Sequence, residues 1–232
     1  MARIISGGGG KLLTTALNPW YRAGGAPPPI AVWQPKAGNG WAPANLAGSY
    51  VNRVNPGTYD AAPGTAPAWA AATGWTFVTA SSQFLTTGLV PANGYSMLVR
   101  FNSAPTVAAT LALCGIGIGV ANKRFAIYSA LLGADDHVYG YGNSSTSTGI
   151  RLASGTMGIT VTNYYLDGVI DGIPGTWVNT TAGILLGAVN SADPGPTAAS
   201  FFGGVITAAA VWSVDVAAYM AALHAALVTA GL

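Results

Sequence analysis

From Gly74 to Trp212 the chain is a succession of short apolar or alternating runs closed by turn signals, which leaves little room for helices. Trp75–Val78 and Gln83–Thr87 are followed by Pro91-Ala92-Asn93-Gly94, a turn sequence. Tyr95–Phe101 alternates, with Tyr95, Met97, Val99 and Phe101 on one face and Ser96, Leu98 and Arg100 on the other. Arg124–Ser129 and His137–Tyr141 continue the series. Thr160–Leu166 runs into Asp167-Gly168, a two-residue hairpin signal that leads to Val169-Ile170. Gly183–Val189 and Phe201–Trp212 complete it. Val107–Ala121 is apolar but carries Gly115, Gly117 and Gly119 at alternate positions, the pattern of a buried strand rather than a bilayer helix. The whole pattern predicts an all-β, two-sheet antiparallel sandwich.

The two ends break this pattern in different ways. Residues 1–70 hold the glycine run Gly7–Gly10, the prolines Pro27–Pro29, the turn pairs Asn39-Gly40 and Asn55-Pro56, and Trp20, Trp33, Trp41 and Trp69. Few stretches alternate, so this part reads as an extended arm with loops anchored on aromatics. Disordered tails are poor in aromatics, and an arm of this kind is expected to meet a partner through Trp20, Trp33, Trp41 and Tyr50. From Val214 the spacing becomes helical, with Val216, Tyr219, Met220, Leu223 and Leu227 on one stripe, Ser213 placed as N-cap and Gly231 as stop. The expected organisation is an arm over residues 1–70 and a sandwich over 71–232 closed by a short C-terminal helix.

Charge bounds the function. Nine Lys/Arg and seven acidic residues, all aspartate, make 7% charged side chains, against about 25% in an ordinary soluble domain. A compact chain of this mass exposes roughly 10,000 Å², which leaves on the order of 600 Å² per charge and favours association with other subunits. A net charge of +2 with scattered arginines gives no nucleic-acid footprint, and no apolar run reaches the length of a membrane span. One cysteine, Cys114, in an apolar run, excludes an internal disulfide and a thiolate metal site.

Chemistry is equally sparse. A retaining or inverting glycosidase needs a carboxylate pair. Glutamate is absent, and Asp167 and Asp171, four apart, each precede a glycine as turn residues do. No phosphate loop or nucleophile elbow is present. The expectation is a non-enzyme without a cofactor. Asp135 and Asp136, beside His137, are weak candidates for a divalent cation and otherwise form a solvated turn. His137, Tyr139 and Tyr141 share one strand face ahead of the polar loop that starts at Asn143, and together they are the candidate platform for stacking a sugar.

Several ordered motifs carry a resemblance. Tyr164-Tyr165-Leu166-Asp167-Gly168 is followed by Gly183-Ile184-Leu185-Leu186-Gly187, then Phe202-Gly203-Gly204-Val205-Ile206, then Ala210-Val211-Trp212 and the closing helix. In order and spacing this half resembles the laminin-G-like, concanavalin A-like jelly roll. Met157-Gly158-Ile159-Thr160-Val161 departs from the W-x-H-V-A strand usual there. Ala31-Val32-Trp33-Gln34-Pro35-Lys36, Ser49-Tyr50-Val51-Asn52, Asn55-Pro56-Gly57, Ala66-Pro67-Ala68-Trp69 and Gly74-Trp75-Thr76-Phe77 resemble the leader of jelly-roll proteins from tailed-phage virions. The resemblance implies a virion structural protein: a capsid decoration or cement protein, a head fibre, or a tail-associated protein, with the capsid surface favoured. Its implied partners are the major capsid protein or other virion subunits and further copies of itself, as a trimer or dimer. The alternative is a carbohydrate-binding module of a phage tail or surface protein for host glycans.

Overall fold

A computed structural model describes residues 18–105, 109–117, 123–131, 136–149 and 151–232. In chain order its strands are β1 (Ala31–Trp33), β2 (Ala62–Thr65), β3 (Ala68–Ala70), β4 (Gly74–Phe77), β5 (Phe84–Thr86) and β6 (Ser96–Asn102). Next come β7 (Leu111–Ile116), β8 (Arg124–Ala130), β9 (His137–Gly142), β10 (Ser144–Thr148), β11 (Gly155–Ile159) and β12 (Tyr164–Leu166). β13 (Val169–Gly172), β14 (Leu185–Leu186), β15 (Val189–Asn190), β16 (Ala198–Ala199) and β17 (Gly204–Trp212) follow. Two α-helices, α1 (Leu46–Ser49) and α2 (Met220–Thr229), complete the regular structure.

The strands form two sheets. Sheet I runs β13-β12-β11-β6-β17-β4-β3, with β1 also on β17, and sheet II runs β10-β9-β8-β7-β14-β5-β2, with β15 and β16 attached. Pairings are antiparallel except for a short β15–β7 contact. Between the sheets lies one core built on Trp33, Trp75, Phe77, Phe101, Phe125, Tyr139, Tyr141, Tyr164 and Phe202. The all-β sandwich expected from the turn spacing is therefore the observed architecture.

Sheet I is covered on its second face as well. Val32, Leu98, Ala208, Ala210 and Trp212 point outward against Trp20, Ala26, Met220, Leu223 and Leu227. That explains why β17 is buried at every position after Gly204, since alternation loses its polar half when both faces are packed. The expected stripe of α2 does pack here, but the helix begins later than Ser213, after a turn of 3-10 helix over Ala217–Tyr219. Its stop is as expected: Gly231 has φ +69° and donates to Val228, and Leu232 donates to Leu227.

The boundary expected at residue 70 does not separate an arm from a domain among the described residues. β1 pairs in register with Ala209–Val211 of β17, on the same edge that β4 uses nearer the start of that strand. Fully buried Asn52 locks the crossing. Its amide nitrogen donates to the Ile30 and Thr58 carbonyls, while its Oδ1 accepts from Val32 and Val54. Residues 1–17 lie outside the described part.

Candidate functional site

The residues expected to meet a partner are turned inward. Trp20 and Trp33 are 1% and 0% exposed, and Trp41 and Tyr50 are half-buried. Each indole finds an acceptor within the chain: Trp20 donates to Gln34 Oε1 at 3.0 Å, Trp33 to the Tyr59 carbonyl at 3.0 Å, and Trp41 to the Gln34 carbonyl at 3.1 Å. Tyr50 packs against Trp75, with ring centroids 5.9 Å apart. These aromatics anchor the N-terminal segment to its own sheet, because burial with a satisfied N–H is the low-energy place for an indole. They present no arm.

The aromatic platform is corrected in the same sense. His137, Tyr139 and Tyr141 do share a strand face, but it is the face toward the core, and their exposures are 1%, 0% and 1%. Tyr139 stacks on Tyr164 at 4.8 Å rather than on a ligand, and Tyr141 packs against Phe125 and Trp177. Asn143 alone is exposed, and its Oδ1 accepts from Thr176 N at 3.0 Å. Asp136 accepts from Ser147 Oγ at 2.6 Å, and Asp135 lies outside the described residues. Among the described residues no group of three or more His, Cys, Asp or Glu could hold a metal ion. Cys114 is buried, and burial pushes its thiol far above the usual range, so it stays protonated.

What the inward strand face builds is a polar seam between the sheets. Asp171 Oδ2 on β13 lies 2.6 Å from His137 Nε2 and accepts from Tyr139 Oη at 3.0 Å and Thr148 Oγ1 at 2.9 Å. Thr148 Oγ1 also lies 2.9 Å from His137 Nε2. A nucleophilic relay needs hydroxyl and carboxylate on opposite ring nitrogens, whereas both sit on the same nitrogen here. The seam ties the edge of sheet I to β9 and β10, which makes it a structural clasp. Burial, followed by the nearby Asp171 charge, pushes the Tyr139 phenol far upward, so it remains a donor.

A concave site opens elsewhere, on sheet II beside β5 and β14. It encloses about 370 Å³ and is lined by Thr86, Thr87, Gly88, Val90, Thr181, Gly183, Ile184, Leu185, Asn190, Gly195 and Pro196. One wall is the segment from Thr180 to Thr197, which carries β14 and β15 and is held at two residues. Asn190 donates to the Gly183 carbonyl and accepts from Thr197 N at 3.0 Å, and Gly195 passes so close that a Cβ would sit 2.4 Å from its amide nitrogen. Asp193 accepts from Lys123 Nζ at 2.5 Å and from Thr181 through both backbone and hydroxyl. The Lys123 hydrogen bond, then that of Thr181, lowers its carboxyl to about 2. The opposite wall is stitched to this loop by Thr87 Oγ1, which donates to the Ile184 carbonyl at 2.8 Å. The lining mixes hydroxyls, an amide and apolar patches, and contains no charged side chain. Sequence motifs do not reveal it, because its residues are uncharged and come from segments about a hundred positions apart.

No family model and no curated protein matches this chain. Among solved structures, domain 4 of AbnA, a GH43 extracellular arabinanase from Geobacillus stearothermophilus in complex with arabinotriose, is 18% identical. That match covers 84% of this chain and 98% of that one, with a TM-score of 0.48. The CBM40 of the Ruminococcus gnavus IT-sialidase bound to α2,3-sialyllactose is 13% identical over 54% of this chain and 78% of that one, with a TM-score of 0.40. The NanB sialidase of Streptococcus pneumoniae is 14% identical over 62% of this chain, with a TM-score of 0.43, and this chain spans about a quarter (26%) of its length. These likenesses are remote, and the sandwich is established by its own sheet topology.

Proposed function

We propose that the protein is a non-catalytic carbohydrate-binding module that holds a neutral oligosaccharide in the cleft beside β5 and β14. The lining carries this assignment: threonine hydroxyls and the Asn190 amide alternate with Val90, Ile184, Leu185 and Pro196. That combination suits a ligand with hydroxyl edges and apolar faces, and the volume lies within the usual range for small-ligand pockets. An acidic sugar finds no cation among the lining residues, since Lys123 nearby is committed to Asp193. The carboxylates among the described residues are engaged too, with Asp60, Asp136, Asp167, Asp171, Asp193 and Asp215 each accepting a hydrogen bond from the protein.

Glycan-array screening followed by calorimetry tests this. Wild type binds a neutral oligosaccharide, and Thr86→Val and Val90→Lys each weaken it at least ~10-fold, a loss of about 1.4 kcal/mol. Absence of neutral-sugar binding, or binding indifferent to both substitutions, overturns the assignment.

A second role is compatible with the first and rests on a different observation. The surface measures 9874 Å² and carries nine Lys/Arg and seven Asp. A surface so poor in charge suits a subunit of an assembly, and with the sequence resemblance it supports a virion structural protein on a capsid surface. Immunogold labelling of purified particles is expected to mark the capsid, and unlabelled particles would remove this role.

A further inference from the structure

Arg53 is a cation with half of its hydrogen-bonding edge unused. Its backbone N–H donates to the Val32 carbonyl of β1 at 2.9 Å, directly after the Asn52 lock, so its main chain is fixed against sheet I. The guanidinium carbon lies 4.7 Å from the centre of the Trp41 ring and 5.5 Å from that of Tyr21, both within reach of a cation–π attraction. Nη1 donates to Gln34 Oε1, the same oxygen that accepts from Trp20. Gln34 is itself held, since its Nε2 donates to the Lys36 and Gly38 carbonyls. Among the described residues no carboxylate pairs with Arg53.

The remaining donors are Nε and Nη2. Neither has a hydrogen-bond partner among the described residues, and neither is sealed from solvent. These two groups share one side of the guanidinium, the side that takes both oxygens of a single carboxylate. Asp60, the one acidic residue in the stretch 18–105, is spent elsewhere: it accepts from Asn52 N at 2.7 Å and Gly57 N at 3.1 Å. Burial lowers the Arg53 pKa from its ordinary value, as expected of a cation held partly away from water without a counter-ion. An incoming carboxylate offsets that cost.

We propose that Arg53, flanked by Trp41 and Tyr21, is a second saccharide site, which binds the ring carboxylate of an acidic sugar through Nε and Nη2. Both aromatic rings are half-buried and leave part of their surface beside the guanidinium. The C–H face of a uronate ring rests there while its carboxylate meets the arginine. The site stands beside β1 of sheet I, apart from the uncharged cleft on sheet II, so the two sites take sugars of opposite character. The choice of a sugar acid over an acidic peptide rests on the reading of the protein as a carbohydrate-binding module; the carboxylate follows from Arg53 alone.

Heteronuclear NMR of the wild-type chain reads the Arg53 Nε–H directly and needs no variant. Trigalacturonate is expected to shift that resonance to saturation, and its carboxyl-reduced, neutral counterpart to leave it in place. Arg53→Lys, which keeps the charge and loses the fork, and Arg53→Gln each raise the dissociation constant for trigalacturonate at least ~10-fold, with a cooperative melting transition showing the fold intact. No shift at Arg53, an equal shift from the reduced sugar, or full affinity in Arg53→Lys overturns the proposal. So does a glutamate peptide that shifts the resonance at lower concentration than the uronate. Neutral-sugar binding is measured on the same wild-type sample. Its absence beside intact uronate binding removes the cleft assignment alone, and its presence with Arg53 unmoved removes this one alone.

Discussion

Sheet I and sheet II share one core but are closed on their outer sides by different means. Sheet I is closed by apolar packing: Trp20 and Ala26 from the start of the described chain, and Met220, Leu223 and Leu227 from α2, lie on Val32, Leu98, Ala208 and Trp212. Sheet II, at its β5–β14 end, is closed by the segment from Thr180 to Thr197, which packs Ala182 on Ile116 and Val189 in a small cluster with Ala112 and Tyr128 and is further held by hydrogen bonds of Asn190 and Asp193. Apolar packing fills space, because every gap forfeits dispersion contacts. The hydrogen-bonded stretch around Asn190 and Gly195 leaves a cleft of about 370 Å³ beside β5 and β14. Sheet I is thus covered by the larger apolar layer, while sheet II carries smaller apolar clusters and keeps a cleft with room for a ligand.

The largest expected loss of stability lies on sheet I. Trp20→Ala removes a buried indole and leaves Gln34 Oε1 without that donor. Chemical denaturation should show a loss of ~3–5 kcal/mol. A loss below about 1 kcal/mol would mean that the N-terminal segment is dispensable, as an arm would be.

A smaller effect belongs to the loop over sheet II. The Asp193 carboxyl sits at about 2, below its ordinary value of 3.8, because Lys123 and Thr181 donate to the charged form. Its folded value is lowered, so the stability it contributes is complete above the unfolded value and is lost as pH falls through about 4 to 2. Lys123 is a third exposed and solvent screens the pair, so that contribution is no more than ~1 kcal/mol. Asp193→Asn should lose it at neutral pH and flatten the fall between pH 5 and 2 in denaturation curves, and a variant with the wild-type acid profile would assign the loss elsewhere.

The cleft lining itself should matter least to stability. Val90→Lys touches only the exposed rim of the cleft and should move unfolding free energy by no more than ~0.5 kcal/mol, and Thr86→Val, which also loses the Thr86 Oγ1 hydrogen bond to the Ala62 carbonyl, by no more than ~1 kcal/mol, even where sugar binding falls. Large destabilisation by either would make the cleft part of the structural side.

Much of this architecture is legible in the residues. Tyr95–Phe101 was expected as an alternating strand, and β6 occupies Ser96–Asn102, with Met97, Val99 and Phe101 in the inter-sheet core. Asp167-Gly168 forms the expected hairpin turn, and the α2 stripe packs on its own sheet. Other elements leave little trace. Ser144–Thr148 reads as a polar loop yet forms β10, because an edge strand paired only to β9 needs no apolar face of its own. β1 is three residues long, too short to show a period. Thr160–Leu166 reads as one strand, but Thr160 accepts from Asn163 N within a turn and the strand starts at Tyr164. The cleft is silent in sequence because its lining has no charge, no motif and no proximity along the chain.

The residues by themselves determine the alternation, the turns and the helix, all of which follow from interactions between near neighbours. The direction in which a tryptophan or tyrosine faces is decided by what covers its side of the sheet, and that covering comes from far along the chain. Trp212 donates to the Pro27 carbonyl, 185 positions away. Only the assembled layers could show that Trp20 closes the outer face of sheet I while Trp33 enters the core between the sheets, and that His137, Tyr139 and Tyr141 face a core instead of a sugar.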